Sequence, residues 1–170
     1  VSKWLSWTFP PDWILVSGKV GRGKTTWVTG VFNDYCASRI RRYREGGPGE
    51  NSLPIWMTEA DLFMNADRSA AGGYSGRAVY IDRVTRSPLL VLDDLGGSRR
   101  KPTESQVSMI RYIVQNRHAH NRPTLMTSNI ESWDQMERTY GDHIVSRLIE
   151  STGGMVVLDG PDRRLEEVNN

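Results

Sequence analysis

The stretch GKVGRGKT, Gly18 to Thr25, satisfies the spacing G-x-x-x-x-G-K-T without a mismatch. Its flanks matter as much as its letters. Before it, DWILVSG (Asp12 to Gly18) is a short apolar run ending at glycine, the pattern of a buried strand. After it, from Lys24 to about Arg44, Trp27, Val31, Tyr35 and Cys36 fall on one stripe and predict a helix. A glycine-rich loop between a strand and a helix turns backbone N–H groups toward an anion, and the helix start adds partial positive charge. Strand, loop and helix in that order read as a phosphate-binding loop for a nucleoside triphosphate. The predicted cradle comprises Gly18, Lys19, Val20, Gly21, Arg22, Gly23, Lys24, Thr25 and Thr26. In it Lys24 reaches the β- and γ-phosphates, and the Thr25 hydroxyl suits Mg2+. Without its flanks the same stretch is only a glycine-rich turn with a surface lysine.

A second stretch then takes on meaning. In LLVLDDLGG, Leu89 to Gly97, an apolar run drives into two adjacent acids. Two like charges at the end of a buried strand are costly unless a cation compensates them, although a surface loop holds both at no cost. Beside a phosphate-binding loop, Asp93 is the expected Mg2+ ligand and Asp94 the group that orients or deprotonates an attacking water. RPTLMTSN (Arg122 to Asn129) reads as a further strand, and Asn129 at its end places an uncharged amide near the γ-phosphate. Alone, that residue is a turn-forming asparagine.

The remaining pattern alternates. LPIWMT predicts a strand and is followed by a short helix over about Glu59 to Asn65. SAAGGYSG (Ser69 to Gly76) reads as a mobile loop, and Val79, Ile81 and Val84 lead toward Pro88. Thr103 with Gln106 forms a capping box for a helix carrying Val107, Ile110, Ile113 and Val114. Two shorter helices, about Ser132 to Tyr140 and Asp142 to Glu150, precede a last strand in GMVVLDG (Gly154 to Gly160). The fold class this predicts is α/β: a P-loop NTPase with three α/β/α layers and a mainly parallel five-stranded sheet. No segment reads as a separate lid domain.

Composition bounds the alternatives. A chain of 170 residues, 38% hydrophobic and 25% charged, fits a single globular domain, 1–170, with 1–11 as a lead-in segment. No apolar run approaches the roughly 20 residues that span a bilayer, and no signal-peptide pattern opens the chain. Cys36 is the single cysteine, so no internal disulfide forms and a cytoplasmic location is expected. The three histidines lack zinc spacing. The net charge of +2 argues nothing about nucleic acid, but RIRRYRE (Arg39 to Glu45) and SRRK (Ser98 to Lys101) are local basic clusters. Alone they read as a solvated helix face and loop; the sharper reading is a phosphate-contacting surface. In HIVSRLIES, Arg147 lies among apolar residues. It either snorkels or projects into a neighbouring subunit's nucleotide, and spacing does not choose.

Taken together these motifs resemble the AAA+ ATPases of the bacterial helicase-loader family, DnaC/DnaI-like, with the IstB-like transposition ATPases as close kin. LLVLDDLG looks like the family's Walker B, TESQVSMIRYIVQNR like its following helix, and RPTLMTSN like its sensor 1 strand. YGDHIVSRLIE is similar to the segment carrying the arginine finger, which gives Arg147 that role. LDGPDRR resembles the closing segment, with Arg164 as a sensor, although Arg163 stands where the family has an aromatic. The resemblance runs from about Asp12 to Arg164. It implies ATP and Mg2+ as ligands, a homo-oligomer sharing the ATP site between subunits, and single-stranded DNA contacted by Arg99, Arg100 and Lys101. It also implies a replicative helicase, or a transposase, as partner. The loaders' N-terminal helicase-binding region is expected to lie outside this chain, and Lys19 and Arg22 make the cradle more basic than the family's. Two rival classes are a small-molecule P-loop kinase, whose arginine-bearing lid SAAGGYSGR does not supply, and a nucleotide switch that binds without turnover.

Overall fold

A computed structural model describes residues 13–46, 52–71, 73–98 and 100–162. Five strands form one sheet: β1 (Trp13–Ser17), β2 (Ile55–Thr58), β3 (Leu90–Leu95), β4 (Thr124–Ser128) and β5 (Met155–Val157). Their order is β2-β3-β4-β1-β5, and every pairing is parallel. Parallel neighbours need crossovers, and the helices supply them: α1 (Lys24–Arg44), α2 (Glu59–Ala70), α3 (Tyr74–Arg86), α4 (Glu104–Ala119), α5 (Trp133–Tyr140) and α6 (Asp142–Thr152).

Alternation along the strands divides the core in two. Ile14, Val16, Leu89, Val91 and Leu125 meet Val28 and Tyr35 of α1 on one face. Trp13, Leu15, Leu90, Leu92 and Met126 meet the other helices on the opposite face. There Met109, Ile110, Ile113 and Val114 of α4 are buried, each contributing about 1.5–3 kcal/mol by leaving water. The result is the expected three-layer α/β/α sandwich, with one helix against five. Among the described residues no helix is long and apolar enough to cross a membrane.

Local chemistry sets the helix starts. Thr103 and Gln106 exchange hydrogen bonds in the capping box that the sequence predicts for α4, and Thr58 and Asp61, which it does not single out, do the same for α2. The stretch Ser69 to Gly76, expected as a mobile loop, is mostly helical instead. Ser69 and Ala70 end α2, and Tyr74 to Gly76 begin α3. A Cβ on Gly76 would lie 2.3 Å from the Ser69 carbonyl oxygen, so the small residue there serves a close approach of two helices. The closing strand is also shorter than predicted, three residues from Met155 to Val157.

Candidate nucleotide site

All five strands end on the same edge, and the loop 18–23 lies there between β1 and α1. Gly18, Gly21 and Gly23 have positive φ values of 138°, 80° and 81°, which curl the loop. Gly23 is the N-cap of α1 and makes no side-chain cap hydrogen bond, an arrangement that suits an anion at the helix start. Lys19 is exposed and Arg22 half-buried, while Lys24 is buried. The Lys24 Nζ donates to the carbonyls of Gly18 and Lys19, at 2.6 and 2.9 Å, and to Asn129 Oδ1 at 2.7 Å.

Two strands away, β3 carries a bulge. Leu92 pairs with Met126 and Leu95 with Ser128, so Asp93 and Asp94 both face the single residue Thr127. An extra residue in one strand re-aims side chains that strict alternation would send to opposite faces. Asp93 stays buried at 7% exposure; Asp94 adopts a left-handed φ of 59° and points outward. The Thr127 hydroxyl serves both acids. It donates to Asp93 Oδ1 and accepts the Asp94 N–H at 2.8 Å. The Thr25 hydroxyl lies 3.2 Å from each Asp93 oxygen.

Asn129 closes the circuit. Its Nδ2 donates to Asp94 Oδ1 at 2.8 Å while its Oδ1 accepts from Lys24. One amide thus connects the loop lysine to the second acid, using both ends of its dipole. The structure therefore brings together Lys24, Thr25, Asp93, Asp94 and Asn129. Thr25 Oγ1 and the Asp93 carboxylate are adjacent hard oxygens of the kind Mg2+ takes alongside water and phosphate, so the donor set fits that ion.

Other predicted residues fall elsewhere. Arg147 is exposed on α6, where Nη1 donates to Glu150 Oε2 at 2.5 Å, while Ile144, Val145 and Leu148 carry the helix's buried face. Arg100 and Lys101 are exposed on the wall of a cavity of about 920 Å³ that also touches Thr58, Phe63, Asp94 and Gln106. Arg99 and Arg164 lie outside the described residues. Sequence reasoning missed the Thr127 hydroxyl, although it lies within the RPTLMTSN strand that ends at Asn129. Glu59 and Tyr140, which meet beneath the 94–97 turn, carry no sequence signal at all.

No family model and no curated protein matches the sequence. Solved structures do. DnaI superposes with a TM-score of 0.69 at 19% identity, over 96% of this chain and 80% of that one. The DnaC helicase loader gives 0.65 at 21% identity, over 87% and 78%. The replication initiator DnaA bound to AMPPCP and single-stranded DNA gives 0.65 at 17% identity, over 93% of this chain and 46% of that one. In fold, the chain is a three-layer α/β/α domain with a parallel five-stranded sheet, similar to DnaI and to the DnaC helicase loader.

Proposed function

We propose that this domain binds and hydrolyses ATP with Mg2+ and acts in DNA replication as a cytoplasmic helicase loader on single-stranded DNA. The observation that carries the reading is the hydrogen-bonded circuit from Lys24 through Asn129 to Asp94, beside the Thr25–Asp93 pair. A pocket that only binds nucleotide needs the lysine and one acid. A second acid wired to the lysine through an amide fits water attack.

In this mechanism the N–H groups of 18–25 and the start of α1 bind the phosphates, with Val20, Arg22 and Thr26 flanking them. The Lys24 ammonium exchanges its carbonyl partners for β- and γ-phosphate oxygens. Thr25 and Asp93 hold Mg2+, which when bound neutralises charge developing on the phosphate oxygens. Asp94 accepts the proton of the attacking water, and Asn129 fixes the carboxylate that receives it. Arg147 of an adjacent copy approaches the γ-phosphate in a homo-oligomer whose ATP site lies between subunits, and Arg164 senses the nucleotide. Arg99, Arg100 and Lys101 contact the DNA backbone, a role matching the neighbour DnaA's single-stranded DNA only in kind. A replicative helicase is the protein partner. The test is phosphate release: Lys24→Ala and Asp94→Ala abolish it, and turnover at the wild-type rate in Lys24→Ala refutes the mechanism.

A further inference from the structure

Glu59 is the first residue of α2 and is 3% exposed, yet the hydrolytic assignment makes no use of it. Its Oε2 accepts the Gly96 N–H at 3.1 Å, and its Oε1 accepts the Tyr140 hydroxyl at 2.6 Å. Gly96 belongs to the turn that follows Asp94, closed by the Gly97 N–H on the Asp94 carbonyl at 2.9 Å. Tyr140 is buried and ends α5, one glycine before the helix that carries Arg147. A buried carboxylate is a costly way to fill space, since an apolar side chain of similar volume fills it without desolvating a charge. Burial, the largest influence, raises the Glu59 pKa, and the hydrogen bonds from Tyr140 and Gly96 oppose it. Packing alone thus gives no reason for an acid here, whereas an acceptor with two lone-pair faces, aimed at a turn and at a helix end, does.

We propose that Glu59 is a positioning residue for Asp94: it fastens the 94–97 turn from below and ties it to the corner between α5 and α6. The inference rests on reading Asp94 as the acceptor of the water proton. Asp94 holds a left-handed φ, uncommon outside glycine and tolerated best by Asp and Asn. The Thr127 and Asn129 bonds fix its amide and carboxylate, and the Glu59–Gly96 bond fixes the chain beyond it. The same carboxylate then makes the orientation of Asp94 depend on the seat of Tyr140, and through Gly141 on the placement of α6.

The test uses the whole chain and three variants. Glu59→Ala removes both bonds. Glu59→Gln keeps them, with its carbonyl on Gly96 and its amide donating to the Tyr140 oxygen. Tyr140→Phe removes one and keeps the aromatic packing if the alanine variant fails to fold. Expected is a loss of kcat of about a hundredfold in Glu59→Ala, the scale of a misplaced catalytic group. Affinity for a non-hydrolysable ATP analogue stays within about twofold, because transition-state positioning and ground-state binding separate. Glu59→Gln restores kcat. Independently of turnover, the Gly96 amide exchanges with solvent faster in Glu59→Ala and Tyr140→Phe than in wild type. A wild-type kcat in Glu59→Ala, parallel losses of kcat and affinity in all three variants, or unchanged Gly96 exchange overturns the proposal. Absence of phosphate release by the wild type refutes the hydrolytic reading instead, and Gly96 exchange then decides whether Glu59 holds the turn.

Discussion

Asp94 shows how much structure a single carboxylate needs around it. Its side chain folds back over Gly97, so that a Cβ built there would sit 1.9 Å from Asp94 Oδ2. Gly97 has no positive φ, so an alanine there meets no backbone strain, and its nearest neighbours are the atoms of the Asp94 carboxylate. Gly97→Ala is therefore expected to displace the acid and lower ATP turnover by about a hundredfold, the cost of misplacing a reacting group. Combined with Asp94→Ala, the same change is expected to leave the urea midpoint where Asp94→Ala alone puts it, because the clash is gone. Glu59 yields a second prediction at this scale. Its folded pKa lies above the ordinary carboxylate value, so the charged form is disfavoured in the native state. That penalty is absent below the ordinary value and complete above the raised one. Across this window the wild type loses stability relative to Glu59→Gln as pH rises, read as a divergence of their urea midpoints. The acid pair was legible in the sequence; the glycine that makes room for one acid and the buried acid beneath it were not. Both depend on contacts between residues far apart in the chain.

Among the elements, α4 is tied to the end of α3 and the start of β4 through one residue. Arg117, 0% exposed, reaches back from the helix's last turn to the carbonyls of Val84, Thr85 and Ser87 at the end of α3. It also donates to the Pro123 carbonyl and to the Thr124 hydroxyl, which begins β4. Burial, then the neighbouring Arg122, works against its charge and lowers its pKa. The surrounding carbonyls, including the negative end of the α3 dipole, compensate. A planar fork meets acceptors in several directions, and a single ammonium does not. Arg117→Lys is expected to cost about 3 kcal/mol in urea unfolding, since it strands buried carbonyls, with nucleotide affinity unchanged. In the sequence Arg117 is merely the last letter of TESQVSMIRYIVQNR, a stretch with good apolar spacing. The strands were easier to read, because parallel strands buried on both faces appear as short apolar runs bounded by turn residues. Helix α3 was not, because Gly73 and Gly76 signal a loop by composition while Gly76 actually admits the Ser69 carbonyl. Local propensity loses to packing at that contact.

At the scale of the whole molecule, the question is where Arg147 spends its charge. In the single chain it pairs with Glu150, and both side chains are about half exposed. Exposed pairs of this kind hold weakly, so on the proposed shared site a nucleotide phosphate presented by a neighbouring copy is expected to outcompete Glu150. The Lys24–Asn129–Asp94 circuit, by contrast, is complete within one chain. If the ATP site spans two subunits, each defect is confined to one side of the interface. Lys24→Ala spoils the pocket and keeps the arginine; Arg147→Ala keeps the pocket and spoils the arginine it lends. Each variant alone is expected to release no phosphate, with Arg147→Ala keeping its nucleotide affinity. Mixed in equal amounts, the two pair an intact pocket with an intact arginine at about one quarter of the head-to-tail interfaces, and turnover reappears in that proportion. An arginine acting on its own chain's nucleotide gives no recovery at any ratio. Titrating total protein supplies the control: turnover per chain rises with concentration if the interface makes the site, and stays flat if each chain is sufficient.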